Sequence, residues 1–251
     1  MDRQQADLIA NLRSRIASIE RVAVGARQTI PFGVPAMDAH LRGGLARGGL
    51  HEIAGSGLGG VHGAAAALFV AGVLARMEGP VLWCLRSRDL FPPALAGVGL
   101  HPDRVVYAAA ASEKGVLACF EEGLRHARLA GVVGEVSRFS MTASRRLQLA
   151  AEASGVTAFV IRRWRTTEGA RAFSQSTAAA TRWRITAVPS SPLPVPGIGH
   201  PRWRVELVRC RGGDPATWEV EACNAQGRLA LPANLADRSA ATADGRRRAS
   251  T

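Results

Sequence analysis

Residues 51–75, HEIAGSGLGGVHGAAAALFVAGVLA, constrain the fold more than any other stretch of the chain. An apolar piece around Leu50, Ile53 and Ala54 runs into five glycines between Gly55 and Gly63, and then into an alanine-rich segment. Strand, glycine loop and helix in that order make the plan of a nucleotide-binding core, in which backbone amides at a helix N-terminus cradle phosphate. Laid on the pattern G-x-x-x-x-G-K-[ST], Gly55 and Gly60 take the two glycine positions with Gly57 between them, but Val61 stands at the lysine and His62 at the hydroxyl. In the working motif the lysine reaches the β- and γ-phosphates and the hydroxyl ligates Mg²⁺. Valine supplies neither charge nor hydrogen bond, and imidazole is a poor ligand for so hard a cation. The loop is therefore expected to be degenerate, with no catalytic residue, cofactor or metal. The competing reading is a plain glycine turn that lets a helix pack closely on its strand.

The 251 residues suffice for a buried core. The opening MDRQQADLIANL lacks the pattern of a secretory signal, and no apolar run approaches the roughly 20 residues of a membrane span. Cys84, Cys119, Cys210 and Cys223 are widely spaced and form no C-x-x-C, which suggests neither a zinc site nor a disulfide framework. A cytoplasmic protein is expected. The net charge of +12 is uneven: between Arg162 and Arg211 there are ten arginines and two acids. Such an excess attracts a polyanion or an acidic protein face.

Along the chain, Leu8, Leu12, Ile16 and Ile19 recur at helical spacing. They predict an amphipathic N-terminal helix over residues 1–25, whose stripe must be covered by its own domain or by a partner. A core over 26–236 follows, and a basic tail, 237–251, is expected to be disordered. Within the core, short helices are predicted at 35–41 and 92–98, and longer ones over the alanine-rich segment, at 115–129 and at 144–154. Strands are predicted at 81–85, 105–107, 131–136 and 157–161, an alternation that argues for parallel β-α units. Arg182–Val188 alternates as a half-buried strand, and Trp203, Val205 and Leu207 face Trp218 and Val220 across a Gly-Gly-Asp-Pro turn, an antiparallel β-hairpin. The fold class is thus α/β, a mostly parallel sheet flanked by helices with a hairpin near the C-terminus.

Two sets of polar residues carry candidate chemistry. Glu135 ends the 131–136 strand where an ATPase would hold magnesium, although such a carboxylate can equally meet an arginine. Arg162, Arg163, Trp164 and Arg165, with Arg182, Arg202 and Arg204, suit single-stranded nucleic acid or an acidic partner, and equally suit a half-buried tryptophan with solvated flanks.

With IPFGVPAMDAHL, RGGLARGGLHEIAG, the strand at 81–85, the strand ending at Glu135 and the strand ending near Arg162 and Arg163 in this order, the chain resembles the RecA family. More closely, through WRVELVRCRGG and ANLADR, it resembles the RecA-like accessory proteins of bacterial inducible-mutagenesis operons. The resemblance implies a three-layer RecA-like core. In that core the catalytic glutamate corresponds to about Ser87 and the strand-end sensor pair to Arg162 and Arg163, so an ATPase is not expected. It also implies a non-catalytic adaptor in SOS-inducible translesion synthesis, cytoplasmic and nucleoid-associated on DNA damage. The implied partners are an ImuB-like polymerase-fold protein, an error-prone replicative-type polymerase and the RecA recombinase, with self-association open. An ATP-binding paralogue and a direct single-stranded DNA binder are the alternative readings.

Overall fold

A computed structural model describes residues 28–57, 60–164, 172–190 and 196–232. A two-residue ladder of β1 (Thr29–Ile30) with β2 (Leu45–Ala46) encloses the short helix α1 (Pro35–His40), so the glycine pairs before the first long strand close a small sheet rather than a loose loop. Then come β3 (Leu50–Gly55), α2 (Gly60–Ala75), β4 (Val81–Leu85), α3 (Pro92–Gly97), β5 (Val105–Ala109), α4 (Glu113–Gly123), β6 (Gly131–Val136), α5 (Met141–Ser154) and β7 (Thr157–Arg162). The chain closes with β8 (Thr181–Val188), β9 (Arg202–Cys210) and β10 (Ala216–Glu221). The main sheet has eight strands in the order β10-β9-β8-β3-β7-β6-β4-β5. β5, β4, β6, β7, β3 and β8 are mutually parallel, and β9 and β10 continue the sheet as an antiparallel hairpin.

The apolar runs dictate this arrangement. β3, β6 and β7 are buried throughout, as parallel strands covered on both faces must be. Alternate residues feed two cores. Ile53, Trp83, Val133, Phe159 and Trp183 pack against α2, while Cys84, Val132, Val136 and Val160 pack with Val116, Phe120 and Leu147 of α4 and α5. α2 is apolar around most of its circumference, with Ala65, Ala66, Phe69, Val70, Val73 and Leu74 buried, and accordingly lies at the centre of its layer. Its last carbonyls are held by Arg104, which donates to Leu74 O at 3.3 Å and Ala75 O at 3.2 Å, and beyond the helix to Gly79 O at 2.8 Å.

Two helices differ from the expected spans. α4 begins at Glu113, where the Ser112 hydroxyl accepts from Gly115 N, and stops at Gly123, so Ala127 is exposed beyond it. α5 begins three residues earlier than expected because Ser140, not a residue further on, is its cap, its hydroxyl accepting from Ala143 N at 3.2 Å.

Candidate functional site

The carboxyl ends of the parallel strands carry the glycine loop and most of the candidate polar residues, the usual place for ligand groups in an open α/β sheet. Gly55 ends β3 against the start of α2: a Cβ there would lie 2.5 Å from the His62 carbonyl carbon, so only glycine allows this approach. Gly57 has φ +83°, and its carbonyl accepts the Trp164 indole N–H at 2.9 Å. His62 is half-buried, and its Nδ1 accepts the Ala187 backbone N–H at 3.1 Å, which leaves the proton of the neutral ring on Nε2. Val61 is 67% exposed. Neither residue offers a phosphate a charge or a cation a ligand.

Glu135, on β6, is buried, and both of its oxygens are occupied by protein donors. Oε1 accepts the Trp83 indole N–H at 2.8 Å, and Oε2 accepts from Arg163 Nη1 at 2.7 Å. The same guanidinium donates to both Asp89 oxygens, at 3.1 and 2.7 Å. Burial weakens the proton affinity of Arg163, but Glu135 and Asp89 outweigh it and hold its pKa above the ordinary arginine value. A fixed internal cation thus neutralises the carboxylate at which a magnesium site would be built. Both Glu135 oxygens are thus taken by protein donors, and among the described residues no three His, Cys, Asp or Glu side chains are gathered to hold a metal ion.

Arg162, one residue earlier, turns to the opposite face of the sheet, as strand alternation requires. There the fully buried Glu52 takes Arg162 Nη1 on Oε1 at 2.7 Å, and Arg182 Nε at 2.8 Å and Thr177 Oγ1 at 2.7 Å on Oε2. Arg162 Nη2 also donates to Ser137 O at 2.9 Å, Arg182 donates to Phe173 O, and the Phe173 ring lies 4.5 Å beneath the Arg182 guanidinium. Of the expected solvated flanks of Trp164, Arg162 at the end of β7 is instead 2% exposed and held by Glu52; Arg182, on β8, is 5% exposed and held by the same carboxylate. Trp164 is half-buried, packing on Phe173 with ring centroids 5.6 Å apart.

Arg202 and Arg204 lie far along the sheet on β9, where both meet Glu219 of β10 at 2.8 and 3.2 Å, and Arg184 meets Glu206 at 3.6 Å. The structure therefore gathers Arg163, Trp164, Gly57 and Glu135 at the loop, Arg162 and Arg182 within the opposite layer, and Arg202 and Arg204 on the hairpin. Leu8, Leu12, Ile16, Ile19 and Arg165 fall outside the described residues, as does the basic tail. Glu52, Trp83 and Thr177 were not singled out from the sequence. A glutamate inside the apolar strand LHEIAG is itself a signal, because a buried carboxylate requires a partner.

No helix among the described residues is long and apolar enough to cross a membrane. Fold and site together define an α/β protein with a mostly parallel eight-stranded sheet flanked by helices, an antiparallel hairpin near the C-terminus, and a glycine loop that carries Val61 and His62 between β3 and α2. No protein-family model matches the chain. It is 40% identical to Protein ImuA of Caulobacter vibrioides, in strain NA1000 and in strain CB 15, each over 233 residues covering 87% of this chain and 95% of the relative. The chain belongs to the ImuA family.

Proposed function

We propose that this protein is a non-catalytic adaptor in inducible, error-prone translesion DNA synthesis, built on a RecA-like core that has lost its ATPase. The observation that carries the reading is the Arg163 clamp. The guanidinium engages Glu135 and Asp89 together beside a loop that lacks lysine and hydroxyl. Phosphoryl transfer rests on positioning and electrostatic stabilisation, and the groups that supply both are absent or already engaged here. The position of β7 between the loop strand β3 and the Glu135 strand β6 supports the RecA-like part of the reading.

The partners proposed are the ImuB-like polymerase-fold protein, an error-prone replicative-type polymerase and RecA, engaged through protein contacts that include the N-terminal Leu8, Leu12, Ile16 and Ile19 stripe. Co-purification of the tagged chain from DNA-damaged cells tests this. Polymerase and recombinase subunits should accompany the wild type, and Leu12→Glu with Ile16→Glu should lose at least one of them without lowering thermal stability. Recovery of the chain alone would overturn the adaptor reading.

A further inference from the structure

The arginine-rich hairpin looks polyanion-binding in sequence, but its face is internally balanced. Arg184, Arg202 and Arg204 are met by Glu206 and Glu219, with Glu221 on the same face. A cluster of cations without such partners lies on the carboxyl rim of the parallel sheet. Arg86 and Arg88 follow β4, Lys114 follows β5 and Arg138 follows β6, and all four are exposed. β5, β4 and β6 are consecutive in the sheet, so strand ends about 4.8 Å apart bring these loops side by side. One carboxylate ties them together. Glu113 accepts from Ser137 N at 2.7 Å, from the Ser137 hydroxyl and from Arg138 N at 3.4 Å, and it feels the charge of Arg86. The other acid of these loops, Asp89, is engaged by Arg163. None of the four cations makes a side-chain ion pair among the described residues.

Apolar side chains stand on the same rim where helices begin. Phe91, directly before α3, is 66% exposed; Val61, at the start of α2, is 67% exposed; Met141, the first residue of α5, is 37% exposed. Two of the three have no aromatic face on which a base could stack, and the nearby Trp164 indole is already bonded to Gly57. Cations interleaved with aliphatic and aromatic anchors suit a peptide that carries both acids and apolar residues.

We propose that the rim formed by Arg86, Arg88, Lys114 and Arg138 with Phe91, Val61 and Met141 is a docking surface for an acidic, apolar-anchored segment of a partner protein. This assignment rests on the adaptor reading, for which it names a surface. It is tested with the photo-crosslinking residue p-benzoylphenylalanine placed at Phe91 of the full chain, and at the exposed Leu149 of α5 as a control, in DNA-damaged cells. The crosslinked segment is identified by mass spectrometry, and its synthetic peptide is titrated onto purified protein. The expected result is a crosslink at position 91 to a net-negative segment with apolar residues, absent from position 149 and lost in Arg86→Glu with Arg138→Glu. Phe91→Ala should weaken the peptide on the order of tenfold or more. A crosslink to DNA, to a neutral or basic segment, or one that survives the charge reversal overturns the rim assignment. If partners still co-purify but none crosslinks at position 91, the rim is wrong and the adaptor reading stands; if no partner co-purifies, both fall.

Discussion

Arg163 is the residue on which the chemistry of this chain turns. Its planar fork reaches Glu135 and Asp89 at once, geometry that a lysine cannot reproduce. Removing it leaves the buried Glu135 carboxylate without its cation, so Arg163→Ala is expected to lose about 3 kcal/mol in urea unfolding, and Arg163→Lys to recover only part of that. Glu52 gives the more severe case, since both of its arginine partners are buried with it. Glu52→Gln should cost about 3–5 kcal/mol. Glu113 makes a prediction in pH. Burial alone would raise its carboxyl pKa, but hydrogen bonds from Ser137 and Arg138 and the charge of Arg86 bring it below the usual value. A carboxyl depressed in the folded state stabilises above its unfolded value and loses that contribution as pH falls. Glu113→Gln should therefore have a lower urea midpoint at neutral pH, and the gap from wild type should close as pH drops through and below about 4.3.

At the scale of elements, the apolar runs made the parallel strands legible, because strands covered on both faces read as continuous hydrophobic segments. The glycine loop and α2 were legible from spacing alone, and Gly55 shows why: helix and strand meet too closely there for any side chain. Gly55→Val should displace α2 and cost on the order of 1–3 kcal/mol, read as a lower melting temperature. The polar face of β8 was not legible. Alternation gave the parity of Arg182 correctly, but the cover over it comes from Phe173, beside Thr177 bonded to the same Glu52, in a segment with no periodicity to announce it. The arginine run at 162–165 misled for a related reason. Strand alternation sends Arg162 and Arg163 to opposite faces and to different carboxylates, so residues adjacent in sequence belong to separate networks. The start of α5 was readable in principle from Ser140, whose cap outranked the later apolar pattern.

For the whole molecule, a net charge of +12 says little until it is divided among surfaces. The hairpin arginines are answered by glutamates, while the rim cations are not, so charge reversal should discriminate between them. Arg202→Glu with Arg204→Glu is expected to leave partner co-purification unchanged, whereas Arg86→Glu with Arg138→Glu should reduce it. A glycine loop with Val61 and His62 in place of lysine and hydroxyl, near a carboxylate already held by Arg163, should bind no magnesium nucleotide, and calorimetric titration of the full chain with ATP and Mg²⁺ measures this. No magnesium-dependent binding heat is expected at near-millimolar nucleotide. Micromolar binding that disappears when Gly60 is replaced by a bulky residue would contradict this expectation.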